Sequence, residues 1–130
     1  MDRTRFLLRV AAIYALIGIF MGSHMAGAGS LALRPIHAHI LVVGWLSLFA
    51  FAAFYKLFVI PKTSKLANIH VWGAFIGSIG LNLGMYLYYM YPGSTFNLIF
   101  YIVGGTILML SFVAFALMTF VHGRAIKEAE

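Results

Sequence analysis

The chain has 130 residues, of which 63% are hydrophobic and 9% charged, with a formal net charge of +6. A water-soluble domain carries about 45–50% apolar and about 25% charged residues, so the charged side chains here are too few to cover a water-facing surface and lipid must solvate the outside. The basic residues stand singly between apolar runs, which argues against a nucleic-acid patch. The lack of cysteine excludes disulfides, thiolate ligands and covalent haem attachment through C-x-x-C-H.

A membrane helix needs about 20 mainly apolar residues, and four segments meet that requirement. The first covers about 6–28. It lacks a small-x-small cleavage site followed by polar sequence, so it is expected to stay in the membrane. After a turn carrying Gly29 and Ser30, the second covers about 35–60 and opens on Pro35, whose missing N–H costs nothing in a first turn. The third covers about 66–91, after a Pro61–Lys65 turn. The fourth covers about 96–122, after Pro92–Thr95. All the gaps are short and built of turn residues, so successive helices run antiparallel.

The expected fold is therefore all-α, an integral membrane four-helix bundle in one domain. Arg3, Arg5, Arg9, Lys56, Lys62, Lys65, Arg124 and Lys127 fall at one end of it, and Arg34 alone at the other. Basic residues collect on the cytoplasmic side, which predicts an N-in/C-in, multi-pass protein of a bacterial inner (cytoplasmic) membrane. Tyr86, Tyr88, Tyr89 and Tyr91 then anchor the third helix at the outer interface. At depth only Ser78, Asn82 and Thr106 are polar, too little to line a solute channel.

Ionisable side chains inside a membrane mark functional sites by default. No Asp or Glu lies in a span, so the histidines carry the information. His24, His37 and His39 share the outer depth, while His70 and His122 fall at the inner one. Imidazole is the commonest metal ligand, and an all-imidazole set suits haem iron or copper better than calcium or magnesium. His37 and His39 are about 200° apart on a helix. They serve two different centres, or one ligates while the other bonds elsewhere. His37 shares a face with Leu41, Gly44, Leu48, Phe51 and Tyr55, and His70 shares one with Gly73, Gly77 and Gly84. The glycine stripe either admits a porphyrin edge or packs closely on another helix. Gly18 and Gly22 are expected to serve packing, Met118 to lie in the core, and His122 to complement a helix C-terminus. His24 is either a ligand or a hydrated interfacial residue. Arg34 either snorkels or pairs with a haem propionate.

The second helix reads His37-Ala38-His39-Ile40-Leu41-Val42-Val43-Gly44-Trp45, then Phe54-Tyr55 and Pro61. This resembles the tenth helix of subunit I in haem-copper oxidases, most closely the cbb3-type oxidases and the nitric oxide reductases. There an H-x-H opens the helix, a Gly-Trp follows at this spacing, and an aromatic pair precedes a proline. Ala67-Asn68-Ile69-His70-Val71-Trp72 looks like the start of that family's next helix, often A-x-x-H-F-W. Arg34-Pro35-Ile36-His37 is also similar to the R-P-x-H opening the second helix of the cbb3 subunit, which carries a low-spin haem ligand. The two alignments compete for one segment, and together the matches cover roughly half of the chain.

The resemblance implies haem b ligation. By the tenth-helix match His37 stands for the proximal ligand of the high-spin haem and His39 for a ligand of the low-spin haem. The counterpart of His70 is not an iron ligand in that family, although His70 remains a possible metal residue here. A full subunit I has many more helices and further histidines for copper. This chain has no adjacent His-His pair and no intramembrane carboxylate, so a complete proton-pumping oxidase is not expected in it.

The expectation is a b-type haem protein using His37, His39 and His24, with Arg34, Gly44 and Trp45 in the cofactor environment and His24 completing an axial pair. One or two haems per protomer, or haem shared between protomers of a homo-oligomer, would serve electron transfer or O2/NO binding. The alternatives are a histidine copper site in oxidase assembly or copper handling, and a cofactor-free accessory subunit of a respiratory complex.

Overall fold

A computed structural model describes residues 1–127. Four helices are long and apolar enough to cross a membrane: α1 (Arg3–Ala28), α2 (Arg34–Leu57), α3 (Lys65–Met90) and α4 (Thr95–Val121). Their caps explain their bounds. The Asp2 carboxylate accepts from the Arg5 N–H, Ser64 from Ala67, and Ser94 from Asn97, each satisfying an N–H that the first turn leaves open. α1 stops at Gly29, whose φ of 62° only glycine adopts without strain. With Asp2 as the cap, Arg3, Arg5 and Arg9 lie inside α1 rather than ahead of it. α2 ends before residue 60 because Phe58 is already extended, three residues ahead of Pro61.

Within α2, Ile40–Ser47 is π-helical between two α-helical stretches. Ser47 Oγ donates to the Val42 carbonyl at 2.8 Å, five residues back, in keeping with the wider turn.

The bundle is two tight hairpins set side by side. In lipid, helices gain little from apolar burial against each other and depend on close packing. Glycine allows it. A Cβ on Gly80 would lie 2.8 Å from the Gly104 Cα, and Gly73, Gly77 and Gly84 meet Ser111, Leu108 and Tyr101 of α4. The stripe below His70 is thus filled by α4, leaving no room there for a porphyrin edge. In the other hairpin, Gly18 receives Leu41, Gly22 receives His37, and Gly44 receives the Tyr14 ring.

Aromatic contacts help to join the hairpins. Phe6 of α1 packs on Trp72 and Phe75 of α3, and Phe51 of α2 packs on Phe112 and Phe115 of α4. Leu7, Leu48, Val71 and Met118 are fully buried at the centre, while Phe20, Leu57, Ile102 and Phe120 face outward. The N-terminus, the end of α4 and the α2–α3 turn share one end, called here the terminal end. The α1–α2 and α3–α4 turns form the opposite end.

Candidate functional site

The five histidines divide between the two ends, as their positions in the helices require. At the opposite end, His39 is half-buried and its Nδ1 lies 2.8 Å from the Pro35 carbonyl oxygen. A carbonyl has no proton, so Nδ1 is the donor and Nε2 is the nitrogen that this bond leaves open. A ligating histidine commonly has this form, since a second bond fixes the ring and the tautomer. His37 is also half-buried, and its ring fills the notch over Gly22, with Cε1 3.0 Å from where a Cβ would stand. Its Nδ1 is buried without a partner.

His24 is exposed and follows Gly22 by two residues. Since Gly22 faces α2, a further turn of about 200° directs His24 away from it. An axial pair of His24 with His37 inside one protomer is therefore not what the helix faces provide. Among the described residues no three His, Cys, Asp or Glu side chains come together to hold a metal ion, so His24, His37 and His39 do not form a three-imidazole copper cage. Arg34 is exposed at the start of α2; Gly44 is buried under Tyr14, and Trp45 is 41% exposed. Gly44 is thus a packing position within the protomer.

At the terminal end, His70 is fully buried. Its Nδ1 lies 2.8 Å from the Tyr55 hydroxyl, and its ring packs edge-on to Phe51 at 4.4 Å and against Phe115 at 5.2 Å. Nε2 has no partner in this aromatic box. Because Nδ1 is engaged and Nε2 enclosed, His70 offers no open coordination position. Met118 Sδ touches the Tyr55 hydroxyl at 3.5 Å and is a core residue. His122 caps α4, with Nε2 3.0 Å from Ser64 Oγ.

Two polar features had weaker sequence signals. Arg3, only 8% exposed, donates to Asn68 Oδ1 at 2.9 Å, to the Lys62 carbonyl at 2.9 Å and to the Pro61 carbonyl at 3.1 Å. Its guanidinium also lies 5.6 Å from the Tyr55 ring centre. This basic residue is a clamp on the α2–α3 turn, beyond any effect on topology. The second feature is deep in the bundle, where Tyr14 Oη lies 3.0 Å from Ser78 Oγ and Asn82 Nδ2 donates to the Ser78 carbonyl at 2.9 Å. The only hint of it in the sequence was polarity at depth. No family model matches the chain, and neither does any curated protein or solved structure.

Proposed function

We propose that the chain binds haem b without covalent attachment, at the end of the bundle opposite the terminal end. The observation that carries this reading is the His39 Nδ1 bond to the Pro35 carbonyl, which orients the ring and leaves Nε2 as the nitrogen without a protein partner on that bond. The resemblance of residues 34–45 and 67–72 to haem-copper oxidase subunit I supports the same cofactor. The donor set fits an axial role one imidazole at a time. His39 supplies the better-oriented nitrogen. His37, on a different flank of α2, is the other candidate through its Nε2, since its Nδ1 is buried within the protomer.

One protomer does not bring two of these nitrogens onto one axis, so the second axial position would be filled from another copy. The expected assembly is a homo-oligomer with haem between protomers, where Arg34 at the start of α2 is free to pair with a propionate. When bound, haem supplies one-electron chemistry or a site for O2 or NO. The chain's part is to hold the His39 ring by the Pro35 carbonyl.

The eight basic residues at the terminal end, against Arg34 at the other, support an N-in/C-in orientation in a bacterial cytoplasmic membrane. Single cysteines introduced into this cysteine-free chain would report that orientation by impermeant labelling.

A pyridine haemochrome assay on detergent-purified protein tests the cofactor. Wild type is expected to contain haem b, and His39→Ala to lose most of it while remaining folded. Colourless wild type from haem-supplemented cells, or equal haem in the His24, His37 and His39 alanine variants, would overturn the reading. Stoichiometric copper without haem would support the copper alternative instead.

A further inference from the structure

The polar group deep between α1 and α3 borders a cavity that contains no histidine. The cavity measures about 450 Å³ and opens between α1, α2 and α3. Ile17, Ile40, Phe75 and Tyr86 line it with apolar and aromatic surface, and Tyr14 and Asn82 are its inner polar residues. Asn82 is 6% exposed, and its Oδ1 has no hydrogen-bond partner.

Tracing the protons shows what the cavity lacks. Ser78 Oγ gives its proton to the Phe75 carbonyl at 2.9 Å. The Tyr14 hydroxyl must then donate to Ser78 Oγ, rather than accept from it. The Asn82 amide nitrogen gives a proton to the Ser78 carbonyl, an acceptor only, which fixes the amide so that Oδ1 is the free atom. The Ser78 and Tyr14 hydroxyl protons and one of the two Asn82 amide protons are committed, while Asn82 Oδ1 is left as a buried acceptor with no donor. An unsatisfied acceptor is costly at a depth where water is scarce. A lipid acyl chain can fill the apolar volume but has no proton to give.

We infer that this cavity binds a membrane-soluble alcohol or phenol, whose hydroxyl donates to Asn82 Oδ1 while its apolar body lies along α1. A ketone or quinone head group, with acceptors only, would leave Asn82 Oδ1 without a donor. The site is separate from the histidines, so it stands or falls apart from haem binding.

Purified protein in lipid nanodiscs would be titrated with nonylphenol and with its methyl ether, which has the same body but no donor. Farnesol and its methyl ether form a second pair and distinguish an alcohol from a phenol. Binding would be read by ligand-detected saturation-transfer NMR. Wild type is expected to favour at least one hydroxyl compound over its ether by about tenfold or more. Asn82→Leu and Asn82→Ala, checked for an unchanged gel-filtration profile, are expected to bring each ether and its parent to within about twofold. Equal binding of hydroxyl and ether by wild type, or discrimination that survives both substitutions, would overturn the inference. So would failure of all four compounds to bind, or a change in oligomeric state on Asn82 substitution without ligand discrimination, which would indicate a second copy as the occupant.

Discussion

The Tyr55 hydroxyl and the His70 Nδ1 lie 2.8 Å apart across the α2–α3 turn, joining two helices inside an aromatic box. Without Tyr55 the imidazole would keep no polar partner, since its Nε2 already has none. Tyr55→Phe is therefore expected to destabilise the bundle by about 1–3 kcal/mol. A double-mutant cycle with His70→Leu, measured by unfolding in mixed detergent, is expected to give a coupling of about 0.6–1.7 kcal/mol. Additive effects would show that the contact contributes nothing of its own.

Arg3 holds the same end of the molecule through carbonyl oxygens of Pro61 and Lys62 and the Asn68 amide. Its planar fork reaches several acceptors at once, which a lysine ammonium does not reproduce. Arg3→Ala should cost about 1.5–3 kcal/mol, and Arg3→Lys should recover less than half of the loss. Faster proteolysis at the α2–α3 turn in both variants is a second readout.

The backbone contact of α3 with α4 makes Gly80 and Gly104 sensitive to a single methyl group. A Cβ on either would meet backbone, which cannot turn aside, whereas a Cβ on Gly105 would find only the end of Leu81 at 3.4 Å. Gly104→Ala should destabilise by about 1–3 kcal/mol. Gly105→Ala should stay within about 0.5 kcal/mol of wild type. Equal effects would place the helices further apart than described here.

At the start of α1, the bond from the Arg5 N–H holds the Asp2 carboxyl below its ordinary value of 3.8. A carboxyl lowered in the folded state stabilises above its unfolded value, and that contribution is lost as pH falls through the lower folded value. Protection of the Arg5 amide against hydrogen exchange should therefore weaken below about pH 4. Asp2→Asn, which retains an N-cap acceptor, should remove the pH dependence while keeping the protection.

Under the proposed haem reading, the anchored ring of His39 also separates the effect of its carbonyl partner from that of the imidazole itself. Pro35→Ala leaves a carbonyl at that position, so the Nδ1 bond can persist and haem content should remain near wild type. His39→Gln removes the imidazole and, under the proposed haem reading, should lower haem content as His39→Ala does and change the optical and electron paramagnetic resonance spectra of any haem retained. Identical spectra in wild type and His39→Gln would remove His39 from the axial position.

The four spans and their turns could be read from the chain alone, because lipid imposes a length and a composition that few other environments allow. The same is true of Pro35 in a first turn and of the antiparallel order, which short loops enforce. Other features depended on which helix lies against which. The α3 glycines could have met a porphyrin or a helix, and only the position of α4 shows that they meet a helix. His70 could have been a ligand until Tyr55, Phe51 and Phe115 were seen to enclose it. The Arg3 clamp and the Tyr14–Ser78 bond each depend on atoms far apart in the chain. Local composition sets where a segment sits in the bilayer. Whether a polar atom is satisfied, enclosed or left open depends on neighbours that only the packed bundle supplies.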